Sequence, residues 1–327
     1  MKPTRYCATR LVAPLAAIAF SSSAHAILVL HLPLNDASSG GVTTASASVN
    51  DPTHPTTSGT SVGTGDAWVS DATRGNVYYS NQGSRLTAGT QGIDRAAGFT
   101  WSMWVNLDPT APGNADAGAD VIIGTRQNVG NNTWHKVQRT AVENWAGITY
   151  GAGNDLMTST WRQLTYVGDS TSIRMYIDGV LVGTPDTTTP TTTFNGALEI
   201  GGSGTFSEDS EGKFSDLGVW NEALTSNEIT GLFDISRAGS GMLAYNVAEF
   251  DMLKQIHDAG TGTTTIDGME WTYATGLSGS AGLSESGGSY TLILDQANGT
   301  GLVTVIPETS AVFLSSIASF LLLRRRR

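Results

Sequence analysis

The stretch FTWSMWVNL at residues 99–107 alternates without a break. Phe99, Trp101, Met103, Val105 and Leu107 fall on one face, and Thr100, Ser102, Trp104 and Asn106 on the other. A period of two marks an extended strand, and a helix cannot satisfy it. Similar segments recur every ten to fifteen residues from Ala67 to Phe233: Val121 to Gly124, Trp145 to Gly151, Trp161 to Val167, Leu198 to Gly202 and Phe214 to Trp220. In SIRMYIDGVLVGT, Ile173, Met175 and Ile177 alternate, Asp178-Gly179 fits a two-residue type I′ turn, and Val180 to Val182 return. A first strand, Ile27 to Leu34, ends at the turn signal Asn35-Asp36. The series predicts an all-β, antiparallel sandwich.

Three stretches break the series. Residues 36–66 are rich in Ser, Thr, Gly and Pro with almost no large apolar group, and read as a long surface loop. Thr225 followed by Glu228 predicts a capping box opening a short helix. Beyond Ser236, Val247, Phe250, Leu253 and Ile256 form a helical stripe within Val247 to Ala259. Two strand-like segments follow, Thr263 to Thr275 and Tyr290 to Val305. Residues 237–305 are therefore expected to form a small C-terminal α+β module.

Both ends are apolar and basic, and each reads as a short apolar helix. Lys2, Arg5 and Arg10 precede the run Leu11 to Phe20, and Ala24-His25-Ala26 supplies a small-x-small cleavage pattern. Residues 1–26 are thus expected to be a signal peptide, cut by signal peptidase after Ala26. The single cysteine, Cys7, lies inside it, so the remainder folds without disulfides. At the other end, Ile306-Pro307-Glu308-Thr309 precedes the apolar Ser310 to Leu323 and then Arg324 to Arg327. Fourteen apolar residues make about 21 Å of helix, against a hydrocarbon core of about 30 Å, so membrane contact is expected to be transient. The formal charge of −11 includes three basic residues before Ile27 and four after Leu323. Without them, 11 basic residues face 29 acidic ones, a balance of −18 that disfavours nucleic acid and anionic lipid.

FTWSMWV, WRQLTYVGD, RMYIDGVLVG, LEIGG and SDLGVWNEALTSNEITGLF, in this order, resemble the laminin-G-like, concanavalin A-like jelly roll. The resemblance spans residues 27–236, and departs at Arg162, where many members carry histidine. Residues 306–327 resemble the PEP-CTERM sorting signal, with Thr309 in place of its second proline. That resemblance implies an exosortase-type protease acting near Pro307 and Glu308, and a bacterial protein exported to the cell surface or extracellular matrix.

The chemistry points away from catalysis. No strand carries the Glu-x-Asp-x-x-Glu spacing of a glycoside hydrolase, and His25, His31, His54, His135 and His257 form no metal or triad spacing. A non-enzymatic protein binding polysaccharide or surface glycan is expected. A structural or adhesive protein is the alternative, and a hydrolase with an unfamiliar acid pair a third reading. Trp104, Arg174 and Tyr176 share the faces opposite the inward residues and form a candidate sugar platform. The competing reading places Trp104 and Tyr176 in a second small core. Trp68, Trp134, Trp145 and Trp161 read as packing residues. Structural calcium, which the jelly-roll resemblance implies, would fall between Asp36 and Asp216. Acidic loops at 114–120 and 208–211 compete for that role.

Overall fold

The computed structural model describes residues 28–36, 44–47, 49–50, 58–62, 65–90, 97–111, 114, 120–125, 135–143, 148–187, 197–203, 208–237 and 246–306. The chain opens with β1 (Leu28–Leu32), β2 (Thr44–Ser46), β3 (Val49–Asn50), β4 (Ser58–Val62), β5 (Ala67–Asp71), β6 (Gly75–Ser80), β7 (Arg85–Thr90) and β8 (Phe99–Leu107). Next come β9 (Ile123–Gly124), β10 (Lys136–Val137), β11 (Ala141–Glu143), β12 (Ile148–Thr149), β13 (Arg162–Gly168), β14 (Ile173–Ile177), β15 (Val180–Asp186), β16 (Ala197–Ile200) and β17 (Gly212–Trp220). Two helices, α1 (Ser226–Ser236) and α2 (Val247–Ala259), precede β18 (Thr263–Ile266), β19 (Met269–Thr275), β20 (Gly282–Ser286), β21 (Ser289–Asp295) and β22 (Thr300–Val305).

The strands form an antiparallel jelly-roll sandwich with a third sheet attached. One large sheet runs β15-β14-β13-β8-β17-β1-β3, with β6 also on β17 and β5 on β6. The facing sheet runs β12-β11-β10-β9-β16-β7-β4-β2. Between them lies the main core, where Phe99, Trp101, Met103, Val105 and Leu107 are all fully buried, as their alternation requires. Asp178 and Gly179 both take positive φ (52° and 77°), giving the expected tight turn between β14 and β15.

The interval 36–66 is not a bare loop, because β2, β3 and β4 lie within it and complete both sheets. The C-terminal region is also richer in strands than expected. Its five-stranded sheet, β18-β19-β22-β21-β20, splits each anticipated strand in two and adds β20, which lies between them in the chain. This sheet is not a free-standing layer. A second core joins Tyr176, Trp220 and Val167 of the sandwich to Ile229 and Leu232 of α1, Phe250 and Leu253 of α2, and Trp271, Leu292 and Leu302 of the C-terminal sheet. Both helices are fixed at their starts by capping boxes, Thr225 with Glu228 and Asn246 with Glu249. Lys254 of α2 reaches back to Glu222 and Glu228 at 3.0 Å each and also pairs with Asp258, clamping α2 to the β17–α1 junction.

Among the described residues no helix is long and apolar enough to cross a membrane. The proposed terminal helices, Ala26, Pro307, Glu308, Trp134 and Trp145 lie outside the described residues.

Candidate binding groove

The expected platform is covered. Trp104 is 4% exposed and Tyr176 1%, because α1 lies across this face of the sheet. Phe233 of α1 stacks on Trp104 at 5.7 Å between ring centres, and the indole Nε1 donates to Ser236 Oγ at 3.0 Å. The Tyr176 hydroxyl is 3.0 Å from Ser226 Oγ. Arg174 donates to Asp169 Oδ2 at 2.7 Å. The strands carrying Trp104 and Tyr176 are also separated by β13. These three side chains therefore do not form an open surface, and Trp104 and Tyr176 belong to helix packing.

The same face does open one row further along. Trp104 is in register with Ser215, and the next row of that face places Asn106 of β8, Lys213 of β17 and Tyr79 of β6 side by side. Helix α1 ends at Ser236, above Trp104, so it stops short of this row. β17 carries an irregularity between Ser215 and Gly218, where Asp216 takes φ 51°. At this bulge its second neighbour changes from β6 to β1.

The row floors a groove of about 300 Å³, lined also by Asp108, Ser159 and Glu211. Its walls are held by two sets of bonds. Tyr79 donates its hydroxyl to Glu211 Oε1 at 2.6 Å. Burial, reinforced by Glu211, pushes that phenol up to about 12. The Glu211 backbone is clamped by both ends of the Asn114 amide at 2.8 Å. Lys213 Nζ donates to Asp71 Oδ2 at 2.8 Å, and Trp161 Nε1 donates to Asp71 Oδ1 at 3.0 Å. Thus Asp71 links a partly exposed indole to the groove floor. Arg74 lies between two indoles, 4.3 Å from the Trp104 ring centre and 5.4 Å from that of Trp161. Its guanidinium also donates to the Ser236 carbonyl at 3.2 Å and pairs with Asp216. Trp161, expected to be a packing residue, is a half-buried ring outside the groove lining, tied to the groove floor through Asp71 and Lys213. No sequence period flags it, since it precedes β13 and owes its position to contacts with β5 and the β5–β6 turn.

A larger hollow of about 630 Å³ borders the C-terminal sheet, but its lining has one carboxylate, Glu270, and no aromatic ring.

The pair proposed for calcium does not fit a hard cation. Asp216 accepts from the Arg74 guanidinium and lies 3.5 Å from His31 Nε2. Burial alone would raise its carboxyl, yet these two partners hold it below its usual value. A side chain already facing a guanidinium is a poor calcium ligand. Asp36 instead accepts from the Ser46 backbone at 2.8 Å, tying down the return to β2. Among the described residues no three His, Cys, Asp or Glu side chains come together as a metal site. Of the competing acidic loops, Glu208 pairs with buried Lys136 at 3.1 Å.

Comparison with known proteins agrees with this architecture. Residues 80–230 match the concanavalin A-like lectin/glucanases superfamily. The binding domain of Paraclostridial Mosquitocidal Protein 1 superposes with a TM-score of 0.50 at 12% identity, over 86% of this chain and 68% of that one. Domain 4 of AbnA, an extracellular arabinanase from Geobacillus stearothermophilus solved with arabinotriose, gives 0.47 at 17% identity, over 63% of this chain and 98% of that domain. Trypanosoma rangeli sialidase in complex with the inhibitor DANA gives 0.43 at 16% identity, over 63% of this chain and 32% of that one. No curated protein matches the chain.

Proposed function

We propose that this is a non-catalytic carbohydrate-binding protein whose sugar site is the groove floored by Asn106, Lys213 and Tyr79. The observation carrying this reading is the cleft lined with carboxylate, amide, amine and hydroxyl groups, to whose floor the Trp161 indole is tied through Asp71 and Lys213. Sugars present apolar C–H faces and a ring of hydroxyls, so an aromatic surface next to polar groups is what they require. The superfamily matched by residues 80–230 includes lectins, which supports the class. Asp108, its carboxylate held below the usual range by Thr110 donors, is not suited to act as a proton donor. We further propose that the domain is carried out of the cell. Support comes from the signal-like residues 1–26 and the sorting-like tail 306–327, the latter a substrate for an exosortase-type protease at the cell surface.

The test is affinity electrophoresis of residues 27–306 through gels containing neutral, amino and acidic polysaccharides. Retardation by at least one gel is expected, with Trp161→Ala losing it while circular dichroism stays unchanged. Trp161→Ala retarded as strongly as the parent would contradict the assignment. Release of reducing sugar from the same polysaccharides would make the protein a hydrolase instead.

A further inference from the structure

The C-terminal sheet parts at one place. β19 and β22 pair from Thr275 with Thr300 as far as Thr272 with Val303. The same register would next set Glu270 opposite Val305, and that pair does not form. Glu270 stays with Thr265 of β18, and Val305 with Ser289 of β21. The hollow of about 630 Å³ lies between them, with Met269, Glu270 and Thr272 on one side and Val303, Thr304 and Val305 on the other. Backbone groups also face it. Tyr273 donates its N–H to Gly262 on the β18 side, so alternation turns the N–H and C=O of Glu270 the opposite way. Ile306 donates to Gly288 on the β21 side, and by the same rule Val305 turns its groups to the opening. A second observation is Thr304, 4% exposed, whose hydroxyl makes no hydrogen bond among the described residues.

We infer that this parting is a peptide-binding site, which takes an extended segment of another polypeptide as an added strand. Two unpaired strand edges facing each other are a template for a third, and main-chain hydrogen bonds supply its affinity. Side chains select the segment. Met269, Val303 and Val305 bring apolar surface, and Val305 is 73% exposed. A threonine or serine entering beside Thr304 gives its hydroxyl the cross-strand partner it lacks. Glu270 is exposed and is the one charged side chain of the lining, so Lys or Arg at the mouth is favoured over Asp or Glu. The expected partner is a basic segment alternating small apolar and hydroxyl residues. The site shares no residue with the sugar groove, and stands whether or not that groove binds sugar.

The experiment is fluorescence polarisation with labelled peptides alternating valine and threonine, one ended by arginines, one by glutamates, and a third with a central proline. Residues 27–306, which hold every described residue, and the full chain are titrated in parallel. The arginine peptide is expected to bind about tenfold tighter than the glutamate peptide, and proline, which lacks the N–H donor, to lose about tenfold. Amide exchange at Glu270 and Val305 should slow on binding, read by NMR. Val305→Pro removes a donor that β21 does not use, and should abolish binding with the unfolding midpoint kept. Thr304→Val removes the unbonded hydroxyl and should weaken binding about threefold without loss of stability. Equal binding of the arginine and glutamate peptides, unchanged exchange at Glu270 and Val305, or full binding by Val305→Pro overturns the inference, as does failure of every peptide to bind. Binding by residues 27–306 but not by the full chain makes this chain's own tail the occupant, and overturns the assignment to another polypeptide.

Discussion

Asp71 determines how the groove is set. Its two oxygens hold Lys213 on the floor and Trp161 at the side, while the Thr73 and Arg74 backbone N–H groups fix its own position. Those donors outweigh burial and bring its carboxyl from 3.8 to about 2. A carboxyl that is more acidic folded than unfolded stabilises the fold above its unfolded value and loses that contribution as the pH falls to its folded one. Asp71→Asn is therefore expected to lower stability near neutrality by about 1 kcal/mol, allowing for solvent screening. The gap should close between about pH 4 and pH 2, measured by urea unfolding across that range. A gap that does not change with pH would mean that the carboxylate is not what holds Lys213 and Trp161. At this scale the sequence separated the two faces of β8 and left two fates open for the outer one, a sugar platform or a second small core; the burial of Trp104 and Tyr176 under α1 agrees with the second. Alternation places Trp104 opposite the main core; whether that side meets water or a helix depends on α1, some 120 residues later. Trp161 was illegible for the same reason, its partners being far away in sequence.

Elements were legible where their signals are local. The Asp178-Gly179 turn, the Thr225 cap and the extent of α2 all follow from a few adjacent residues, and all are present. Where signals are weak they were missed. β2 and β4 read TAS and SGTSV, too small and polar to register as strands, and are held by pairing to each other and to β7. The C-terminal strands were merged although Asp267-Gly268 repeats the turn chemistry of Asp178-Gly179, with φ of 49° and 77°. Packing between elements depends on one helical glycine. A Cβ on Gly231 of α1 would sit 2.8 Å from Leu294 and 3.4 Å from Leu292, side chains of β21. Exposed helical glycines gain stability when replaced, by about 0.5–1 kcal/mol. Gly231→Leu should instead lose about 1–3 kcal/mol through overpacking, measured by chemical denaturation. Unchanged or higher stability would show that α1 and β21 do not approach this closely.

Across the whole molecule, two cores share one sheet. The inner face of β8, β13 and β17 packs on the second sheet of the sandwich, and much of the outer face packs on α1, α2 and the C-terminal sheet. The expected boundary at Ser236 is thus crossed by a continuous apolar cluster, since the helices leave no layer able to bury its surface alone. Among the described residues α1 does not reach the row beyond Trp104, and the polar groove lies there. Covering part of the face makes the location of the opening a property of the fold, and the residues around it give it a polar lining. The most direct measurement is a crystal structure of residues 27–306 with the tightest-binding oligosaccharide. A sugar ring against Trp161, with its polar groups on Asn106, Asp108 and Glu211, is the expected result. A sugar seated on the C-terminal sheet, or on the opposite face of the sandwich, would contradict it.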